Sequence, residues 1–484
     1  MTQRLFFFIA LLFVSLNIYS ADFQSAIDSF CNQSCTRDAN VSILFRNLDT
    51  GETIASYRPD NTVPTASTIK ILTTATALEQ LGDNFTFSTF LETDAQIQNG
   101  ILNGNLYIRG TGDPTIGSQR VGNQNFMYQW LQALKQHGIT HIKGSIIADA
   151  SFYDPAEAIP YGWIREDIGN YYAAGAFPIC FKDNTMTIFL HSGARGSRAI
   201  IISTDPYIPD IQFENYLTCG EGRDWLVCGM PYNNHRLLSG NIAPDKGRWS
   251  VKAAIPNPPL QLARTLTSYL NANGITVDSA AQYILTPSSQ PRNVLHIHQS
   301  EPLSRILTET NQESNNMYAE QIFRYLGLLA QSQQAVEKQI PTTPILINDC
   351  VNFEKQFWLN RAVNLSKAYI YDGSGLSPQD VLSARQLVDI LAYMGKHSIY
   401  RDTWINTLPV SGNSGTLRGF LNDTPLEGRV IAKSGTTSRV KAYAGYIRGN
   451  DDQTYVFAIM VNNASVKSKA IQRNIARLLT QMFQ

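Results

Sequence analysis

Apolar residues at the two ends of the chain follow strand and helix periods that belong to one domain. Residues 41–57 read as two strand-like runs around a polar turn, which predicts a hairpin. Residues 443–447 and 454–461 read as two further strands, and apolar residues at helical spacing over 469–482 predict a final amphipathic helix. Strands at both ends, with helices between them, indicate one α/β domain closed by its termini.

The middle of the chain has a different pattern of apolar and polar residues. From about Phe87 to Tyr283, short strand-like runs are broken by Gly, Pro, Asn and Asp, and long helical periods are few. We therefore interpret residues 88–283 as a large β-rich insertion that forms one or two extra domains. The main domain then consists of residues 21–87 and 284–484.

The first residues are typical of a targeting segment. One positive charge precedes the apolar run from Leu5 to Leu16, and small residues follow near Ser20 and Ala21. The run is short for a membrane span, so it predicts a secretory signal peptide over residues 1–20, with an uncleaved anchor as the alternative. No later stretch is apolar and long enough to cross a bilayer. We expect a secreted, periplasmic protein.

Charge and cysteine content narrow the classes of function. The chain has 39 Lys plus Arg and 39 Asp plus Glu, so no charge excess draws it to nucleic acid or anionic lipid. Six cysteines agree with an oxidising compartment. Their spacing allows two local pairs and leaves two cysteines whose pairing is open: Cys31 with Cys35, Cys219 with Cys228, then Cys180 and Cys350.

A metal site is not indicated. The chain has no CxxC pair and no HExxH motif, so a zinc site is unattractive and we expect no cofactor. His296 and His298 form a tight pair on a strand-like segment without an acidic or cysteine neighbour. We interpret them as part of a solvated strand face.

The strongest candidate for chemistry is Ser67-Thr-Ile-Lys70, where an apolar-periodic helix begins. Residues i and i+3 lie on one helix face, so the Lys70 amine is held beside the Ser67 hydroxyl. A serine is a weak nucleophile until a base takes its proton, and a desolvated amine can be that base. A second Ser-x-x-Lys at Ser438 and Lys441 precedes a strand, which would not hold its lysine in register.

Two further motifs carry complementary chemistry. Ser314-Asn-Asn316 lies between two predicted helices, where the Ser314 hydroxyl can relay a proton and the Asn316 amide can hold a carbonyl. The alternative for Ser314 is a helix cap. Lys433-Ser434-Gly435-Thr436 follows an apolar run and predicts a strand beside the site. A lysine there offers positive charge to a carboxylate, and Gly435 leaves room for a peptide.

In this order, the three motifs resemble the set Ser-x-x-Lys, Ser-Asp-Asn and Lys-Thr-Gly of penicillin-binding proteins and class A β-lactamases. The chain resembles the D-alanyl-D-alanine carboxypeptidase/endopeptidases of the low-molecular-mass class C penicillin-binding proteins. Matching stretches occur along essentially the whole mature chain, at residues 110–114, 257–260, 314–320, 372–377 and 415–417. Ser434 stands where the family more often has threonine. The resemblance implies a serine β-lactamase/DD-peptidase-like domain, an antiparallel sheet flanked by helices.

The resemblance also implies roles. Ser67 would be the nucleophile that attacks between two D-alanines of a peptidoglycan stem peptide, and Lys70 its base. Ser314 would pass the proton to the leaving amine and Asn316 would orient the acyl amide. Lys433 would bind the terminal carboxylate, helped by Ser434 or Thr436, and β-lactams would acylate Ser67. The oxyanion would be held by backbone N–H groups of Ser67 and Thr436.

Family members place an acidic residue in the insertion to receive the diamino-acid branch of the stem peptide. Asp149 is our candidate, and a turn aspartate that ends a strand is the alternative. Two other functions also remain in view, a β-lactamase and a non-catalytic peptidoglycan-binding or penicillin-sensing protein. Tyr232-Asn-Asn234 resembles a lactamase motif, but it lies within the insertion.

Overall fold

A computed structural model describes residues 22–222 and 224–484. The predicted signal peptide, residues 1–20, lies outside these ranges. Within them, no helix combines the length and the apolar character that a bilayer-spanning segment needs.

A five-stranded antiparallel sheet forms the centre of the main domain. Its strands, in spatial order, are β2 (Thr53–Tyr57), β1 (Asn40–Asn47), β24 (Thr454–Asn462), β23 (Val440–Arg448) and β22 (Val430–Thr437). The predicted N-terminal hairpin and the two C-terminal strands are therefore present. Because β1 pairs with β24, the two ends of the described chain close one sheet.

Helices cover both faces of this sheet. One face shares a core with α2 (Lys70–Leu81), α5 (Leu303–Gln312), α6 (Asn316–Leu326), α8 (Ile347–Leu359), α9 (Ala384–Lys396) and α10 (Arg401–Thr407). The other packs against α1 (22–32) and α11 (Ser468–Phe483). Antiparallel sheets commonly leave one face to water. Here both faces are covered, which explains why β23 and β24 read as nearly continuous apolar runs.

The insertion contains two β-rich units with separate hydrophobic cores. The first has a sheet of β19 (Gln282–Ile284), β9 (Ile146–Asp149), β7 (Leu106–Gly110), β4 (Ser88–Thr93) and β20 (Asn293–Gln299). It also has a smaller sheet of β18 (Thr276–Val277), β8 (His141–Ile142), β6 (Ile101–Leu102) and β5 (Ile97–Gln98), with α3 (Phe126–Gln136) and α4 (Pro258–Ala272).

The second unit is built from three small sheets. They are β11 (Ile200–Asp205), β10 (Thr185–Ser192) and β17 (Gly247–Ala254); β12 (Gln212–Asn215), β15 (His235–Ser239) and β14 (Leu226–Cys228); and β13 (Thr218–Cys219) with β16 (Asn241–Ile242). In the main domain, β3 (Thr62–Pro64) pairs with β21 (Val381–Ser383), and α7 (Gln333–Lys338) is a short surface helix. The expected α/β domain with extra β-rich domains is confirmed.

The pairing of strand β20 bears on where the chain returns from the insertion. Strand β20 pairs with β4 along six residue pairs, from Asn293 with Thr93 to Gln299 with Ser88. We therefore propose that the insertion ends near Gln299. This pairing joins segments about 200 residues apart, so no local sequence pattern announces it.

The suggested disulfides are absent. All six cysteines lie within the described residues, and each carries a free thiol. Cys31 packs in the α1/α11 core, while the Sγ of Cys35 accepts a hydrogen bond from Asn474 Nδ2 at 3.0 Å. Cys219 is buried in the core of the second insertion unit, whereas the Cys228 thiol faces the Arg165 carbonyl. Short spacing alone does not give the matched Cβ directions that a disulfide requires.

The interpretation of both strand histidines as solvated is wrong for His298. Its side chain is 6% exposed and contacts the rings of Phe126 and Trp130. Burial lowers the pKa of His298 to about 4, so the ring is neutral near pH 7. No cluster of metal-binding side chains occurs within the described residues.

Candidate active site

Ser67 and Lys70 lie on consecutive turns where the chain enters α2. Ser67 belongs to a 3-10 turn, Ala66–Ile69, and the α-helix begins at Lys70. Lys70 Nζ donates to Ser67 Oγ at 3.1 Å, so the structure brings the predicted pair together. Ala66 has φ 44°, a left-handed conformation that is costly for a residue with a Cβ and that concentrates at functional sites.

Lys70 Nζ has three oxygen neighbours. Besides Ser67, it donates to Asn316 Oδ1 at 2.7 Å and to the Ser374 carbonyl at 2.6 Å. A neutral amine carries two hydrogens and one lone pair. If the two shorter bonds take the hydrogens, the lone pair faces the Ser67 hydroxyl. The geometry therefore suits a base that removes the Ser67 proton.

The protonation state of Lys70 supports this role. Burial lowers its pKa to about 7, against the opposing negative charges of Asp372, Glu320 and Asp380. The amine makes no direct ion pair within the described chain; its partners are a hydroxyl, an amide and a carbonyl. Near pH 7, a substantial fraction of Lys70 is thus uncharged and able to accept a proton.

The second and third motifs meet at one hydrogen bond. Ser314 lies between α5 and α6 with φ 57°, and Lys433 Nζ donates to its Oγ at 2.9 Å. The same amine donates to the Ser434 carbonyl at 2.9 Å. Burial, together with the positive charges of Lys70 and Lys441, lowers the pKa of Lys433 well below its usual value. Two adjacent buried amines thus disfavour each other's charge.

Strand β22 runs directly against the turn that carries Ser67. A Cβ built on Gly435 would lie 2.7 Å from the Thr65 carbonyl oxygen and 3.2 Å from the Ser67 nitrogen. Only glycine fits there without a shift of the strand or the turn. Ser434 is buried and its Oγ donates to Thr416 Oγ1 at 2.8 Å, whereas Thr436 is exposed at the mouth of the site.

Sequence reasoning missed a third lysine of the site. The sequence pattern around Ser438 and Lys441 predicted no site, yet Lys441 Nζ donates to Thr436 Oγ1 at 2.8 Å. Its place follows from the strand register, since Thr436 lies opposite Lys441 in the β22–β23 pair. Burial lowers the pKa of Lys441 to about 8. Only knowledge of how β22 pairs with β23 could have placed Lys441 at the site.

A buried carboxylate also holds the wall behind Lys70. Asp372 accepts hydrogen bonds from the backbone N–H groups of Ser374 and Ser377 at 2.8 and 2.7 Å. It also accepts one from Trp163 Nε1, in the insertion, at 2.7 Å. These bonds fix the loop whose Ser374 carbonyl meets Lys70. The sequence marks residues 372–377 only by their resemblance to the family, since these contacts join distant segments.

Asp149 is not brought to this cluster. Its carboxylate accepts from Ser151 Oγ at 2.6 Å and forms a 2.6 Å ion pair with Arg292. Arg292 lies 3.5 Å from Glu92, which pairs with Arg109 at 2.8 Å. Asp149 is 4% exposed, and its hydrogen-bond partners within the described chain, Ser151 and Arg292, both belong to the insertion. Its role in substrate binding remains a prediction.

Comparison with known proteins agrees with this geometry. Residues 23–482 match the model of the D-Ala-D-Ala carboxypeptidase 3 (S13) family. The D-alanyl-D-alanine carboxypeptidase DacB of Haemophilus influenzae is 25% identical over 439 residues, which cover 90% of this chain and 87% of that protein. The D-alanyl-D-alanine carboxypeptidase of Actinomadura sp. is 25% identical over 474 residues, covering 94% and 84%.

A solved structure shows the same fold. Penicillin-binding protein 4 of Haemophilus influenzae superimposes with a TM-score of 0.80 at 23% identity, covering 95% of this chain and 99% of that one. The predicted family and the predicted serine-type carboxypeptidase activity are therefore confirmed. The chain belongs to the D-Ala-D-Ala carboxypeptidase 3 (S13) family of serine peptidases.

Proposed function

We propose that this peptidase cleaves D-Ala-D-Ala ends or D-alanyl cross-links of peptidoglycan stem peptides through an acyl enzyme on Ser67. The observation that carries the proposal is the convergence of three distant motifs on two buried amines. Lys70 contacts Ser67 and Asn316, while Lys433 contacts Ser314.

The contacts support a specific sequence of steps. Neutral Lys70 takes the Ser67 proton as Oγ bonds to the scissile carbonyl carbon. Backbone N–H groups of Ser67 and Thr436 stabilise the oxyanion. The C–N bond then breaks, and the departing amine of D-alanine receives a proton through Ser314. Water afterwards hydrolyses the ester, which releases the shortened stem and regenerates the Ser67 hydroxyl.

Recognition of the terminal carboxylate would use the exposed end of β22. Lys433 is completely buried and its pKa is lowered, so it contributes an N–H hydrogen bond to the Ser314 hydroxyl rather than a full positive charge. Thr436 is exposed, and Lys441 donates to its hydroxyl oxygen. The Thr436 hydroxyl is therefore free to donate its own proton to the substrate carboxylate, with Lys441 supplying positive charge.

The β-lactamase alternative is less well supported. Tyr232, the first residue of the lactamase-like motif, stacks on Tyr283 at 5.9 Å and contacts Phe177, all within the insertion. A sensor without catalysis does not account for a base of lowered pKa next to a serine hydroxyl. We further propose a periplasmic location, from the predicted signal peptide and the cell-wall substrate.

Two substrates test the proposal. The purified enzyme should release D-alanine from a free pentapeptide that ends in D-Ala-D-Ala, and nitrocefin should acylate it once per molecule with slow release. Rapid, repeated nitrocefin hydrolysis without release of D-alanine would show a β-lactamase instead. If neither reaction occurs and penicillin does not label the protein covalently, the protein is not an enzyme of this kind.

A further inference from the structure

A cavity of about 370 Å³ lies between the segment at residues 157–161, the segment at residues 369–371 and helix α8. Its lining mixes aromatic rings with polar groups: Glu157, Tyr161, Asn348, Lys355, Tyr369 and Tyr371. Clefts that combine apolar surface with a few fixed polar groups are the usual form of small-ligand sites. None of these six residues has a part in the chemistry at Ser67.

The tyrosines of this cavity, referred to below as the tyrosine cavity, are unusually open. Tyr161 is 83% exposed and Tyr369 is 63% exposed. A single exposed aromatic residue is ordinary, but two that border one cavity form an apolar patch of the kind that marks a binding site. The ring faces are large apolar surfaces that gain free energy when a ligand covers them.

The hydrogen-bonding groups around these rings are also unused. Within the described chain, the hydroxyls of Tyr161, Tyr369 and Tyr371 and the amide of exposed Asn348 have no hydrogen-bond partner. In contrast, the buried Tyr446 hydroxyl donates to the Leu391 carbonyl at 2.7 Å. The tyrosine cavity therefore offers neutral donors and acceptors beside its apolar faces.

Two charged groups of the cavity are held in place by protein contacts. Glu157 accepts from the Ile347 N–H at 2.6 Å and pairs with Arg324 at 3.2 Å. Lys355 Nζ donates to the Ala368 carbonyl at 2.9 Å. The Glu157 charge is paired with Arg324, whereas the Lys355 ammonium meets only a carbonyl and keeps further N–H groups for acceptor atoms of a ligand. The cavity therefore suits a ligand with flat apolar faces and a rim of hydrogen-bonding groups.

A pyranose ring has this form, with C–H groups on its faces and hydroxyl or acetamido groups at its edge. We propose that the tyrosine cavity binds the glycan chain of peptidoglycan while an attached stem peptide enters the Ser67 site. This inference rests on the proposed function and names a second part of the same substrate.

The spacing of the two sites fits this arrangement. Tyr371 precedes Ser374 by three residues, which span at most ~11 Å of chain, and the Ser374 carbonyl contacts Lys70. A stem of five residues reaches ~17 Å when extended. The two walls are also joined, since Trp163 donates to Asp372 and therefore holds the segment that follows Tyr161. The tyrosine cavity and Ser67 are thus separated by about the length of an extended stem peptide.

The test compares a substrate with glycan and one without it. The double variant Tyr161→Ala/Tyr369→Ala should release stem-peptide products from isolated sacculi roughly tenfold more slowly at limiting substrate, which corresponds to a tenfold weaker affinity. Its kcat/KM on a free pentapeptide should stay within about twofold of the wild type, because no contact at Ser67 changes. Tyr128→Ala, which removes another exposed tyrosine (56% exposed, on α3), should change neither rate.

A direct binding measurement accompanies the kinetics. Chitotetraose, a chain of N-acetylglucosamine, should bind the wild type and the Tyr128→Ala variant and bind the double variant roughly tenfold more weakly by calorimetry. Unchanged sacculus turnover in the double variant, or equal chitotetraose binding by all three proteins, would overturn the glycan site. Failure of the wild type on the free pentapeptide would instead contradict the proposed function, so the two failures are distinguishable.

Discussion

Two groups of buried charged side chains lie in neighbouring parts of this molecule. They differ in whether each charge contacts a partner of opposite sign. In the insertion, Asp149, Arg292, Glu92 and Arg109 form a chain of ion pairs with separations of 2.6–3.5 Å. At the active site, Lys70 is buried with only neutral atoms as hydrogen-bond partners, and the carboxylates that act on it lie farther away.

The difference shows how burial can serve either structure or chemistry. A buried charge with a partner of opposite sign keeps its charge and resists removal of that partner. A buried amine without one loses much of its preference for the proton, and the pKa of Lys70 falls to about 7. The paired cluster holds segments of the insertion together, while the unpaired amine has a pKa that suits a general base.

The largest expected effect comes from removal of the proposed nucleophile, Ser67. Ser67→Ala should abolish covalent labelling by fluorescent penicillin, because it removes the hydroxyl that the buried Lys70 amine, of lowered pKa, contacts at 3.1 Å. Ser438→Ala is the matched control, since it alters the second Ser-x-x-Lys and should leave labelling intact. Undiminished labelling of the Ser67→Ala protein on a gel would refute the assignment.

Removal of the proposed base, Lys70, should have the next largest effect. Lys70→Met keeps the length of the side chain but removes the amine, so acylation by penicillin should slow by ~10²–10⁴, the usual contribution of a general base. The measurement is the acylation rate constant by stopped-flow or timed labelling. Lys135→Met, at an exposed position on α3, should change the rate little. An equal effect of both substitutions would contradict the role of Lys70.

Close packing between β22 and the Ser67 turn predicts a smaller effect. The added methyl of Gly435→Ala would meet the Thr65 carbonyl oxygen at 2.7 Å and push the strand from Ser67. Displacement of about 1 Å costs ~10²-fold in rate, so acylation should slow by that order. Gly419→Ala is the control, because nothing lies within 4 Å of its added Cβ. If the two variants react equally fast, strand β22 does not position the site.

The paired cluster should respond in stability rather than in acylation. Asp149→Asn leaves Arg292 without its closest partner, at 2.6 Å, and should lower the free energy of unfolding by ~1–3 kcal/mol. Penicillin acylation should stay within about twofold of the wild type. The matched control is Asp278→Asn, which breaks an exposed pair with His141 and should cost ~0–1 kcal/mol. Denaturant unfolding gives both values.

The sequence-based role of Asp149 predicts a different outcome. If its carboxylate receives the diamino-acid branch, Asp149→Asn should raise KM for stem peptides that carry this branch and not for peptides that lack it. An unchanged unfolding free energy together with that selective rise would contradict the structural role and support the recognition role.

Local patterns in the sequence predicted the parts of the fold that local forces determine. The β1–β2 hairpin, the C-terminal strands and helix α11 follow from apolar periodicity. Ser67 and Lys70 were predicted as neighbours because one turn of chain places them so. Lys70 also contacts Asn316 and the Ser374 carbonyl, which come from segments more than 240 residues away. Of these two, the order of the motifs along the chain indicated only Asn316.

Features that depend on distant pairing could not be predicted. The place of Lys441 requires the register of β22 against β23, and the burial of His298 requires the packing of β20 beside α3. The separated thiols of Cys31 and Cys35 likewise reflect packing against other elements. In each case the side chain is ordinary, and its surroundings give it a role.

The pH dependence of Ser67 acylation tests the central claim, an uncharged Lys70 near neutrality. Below its folded pKa of about 7, Lys70 is protonated and has no lone pair for the Ser67 proton, so the rate should fall as pH decreases. The acylation rate constant of the wild-type enzyme with penicillin should therefore rise with pH, reach half its maximum near pH 7 and then level. A half-maximal rate at pH ~10.4, the pKa of an ordinary lysine, would contradict the account, and so would a rate that does not change with pH.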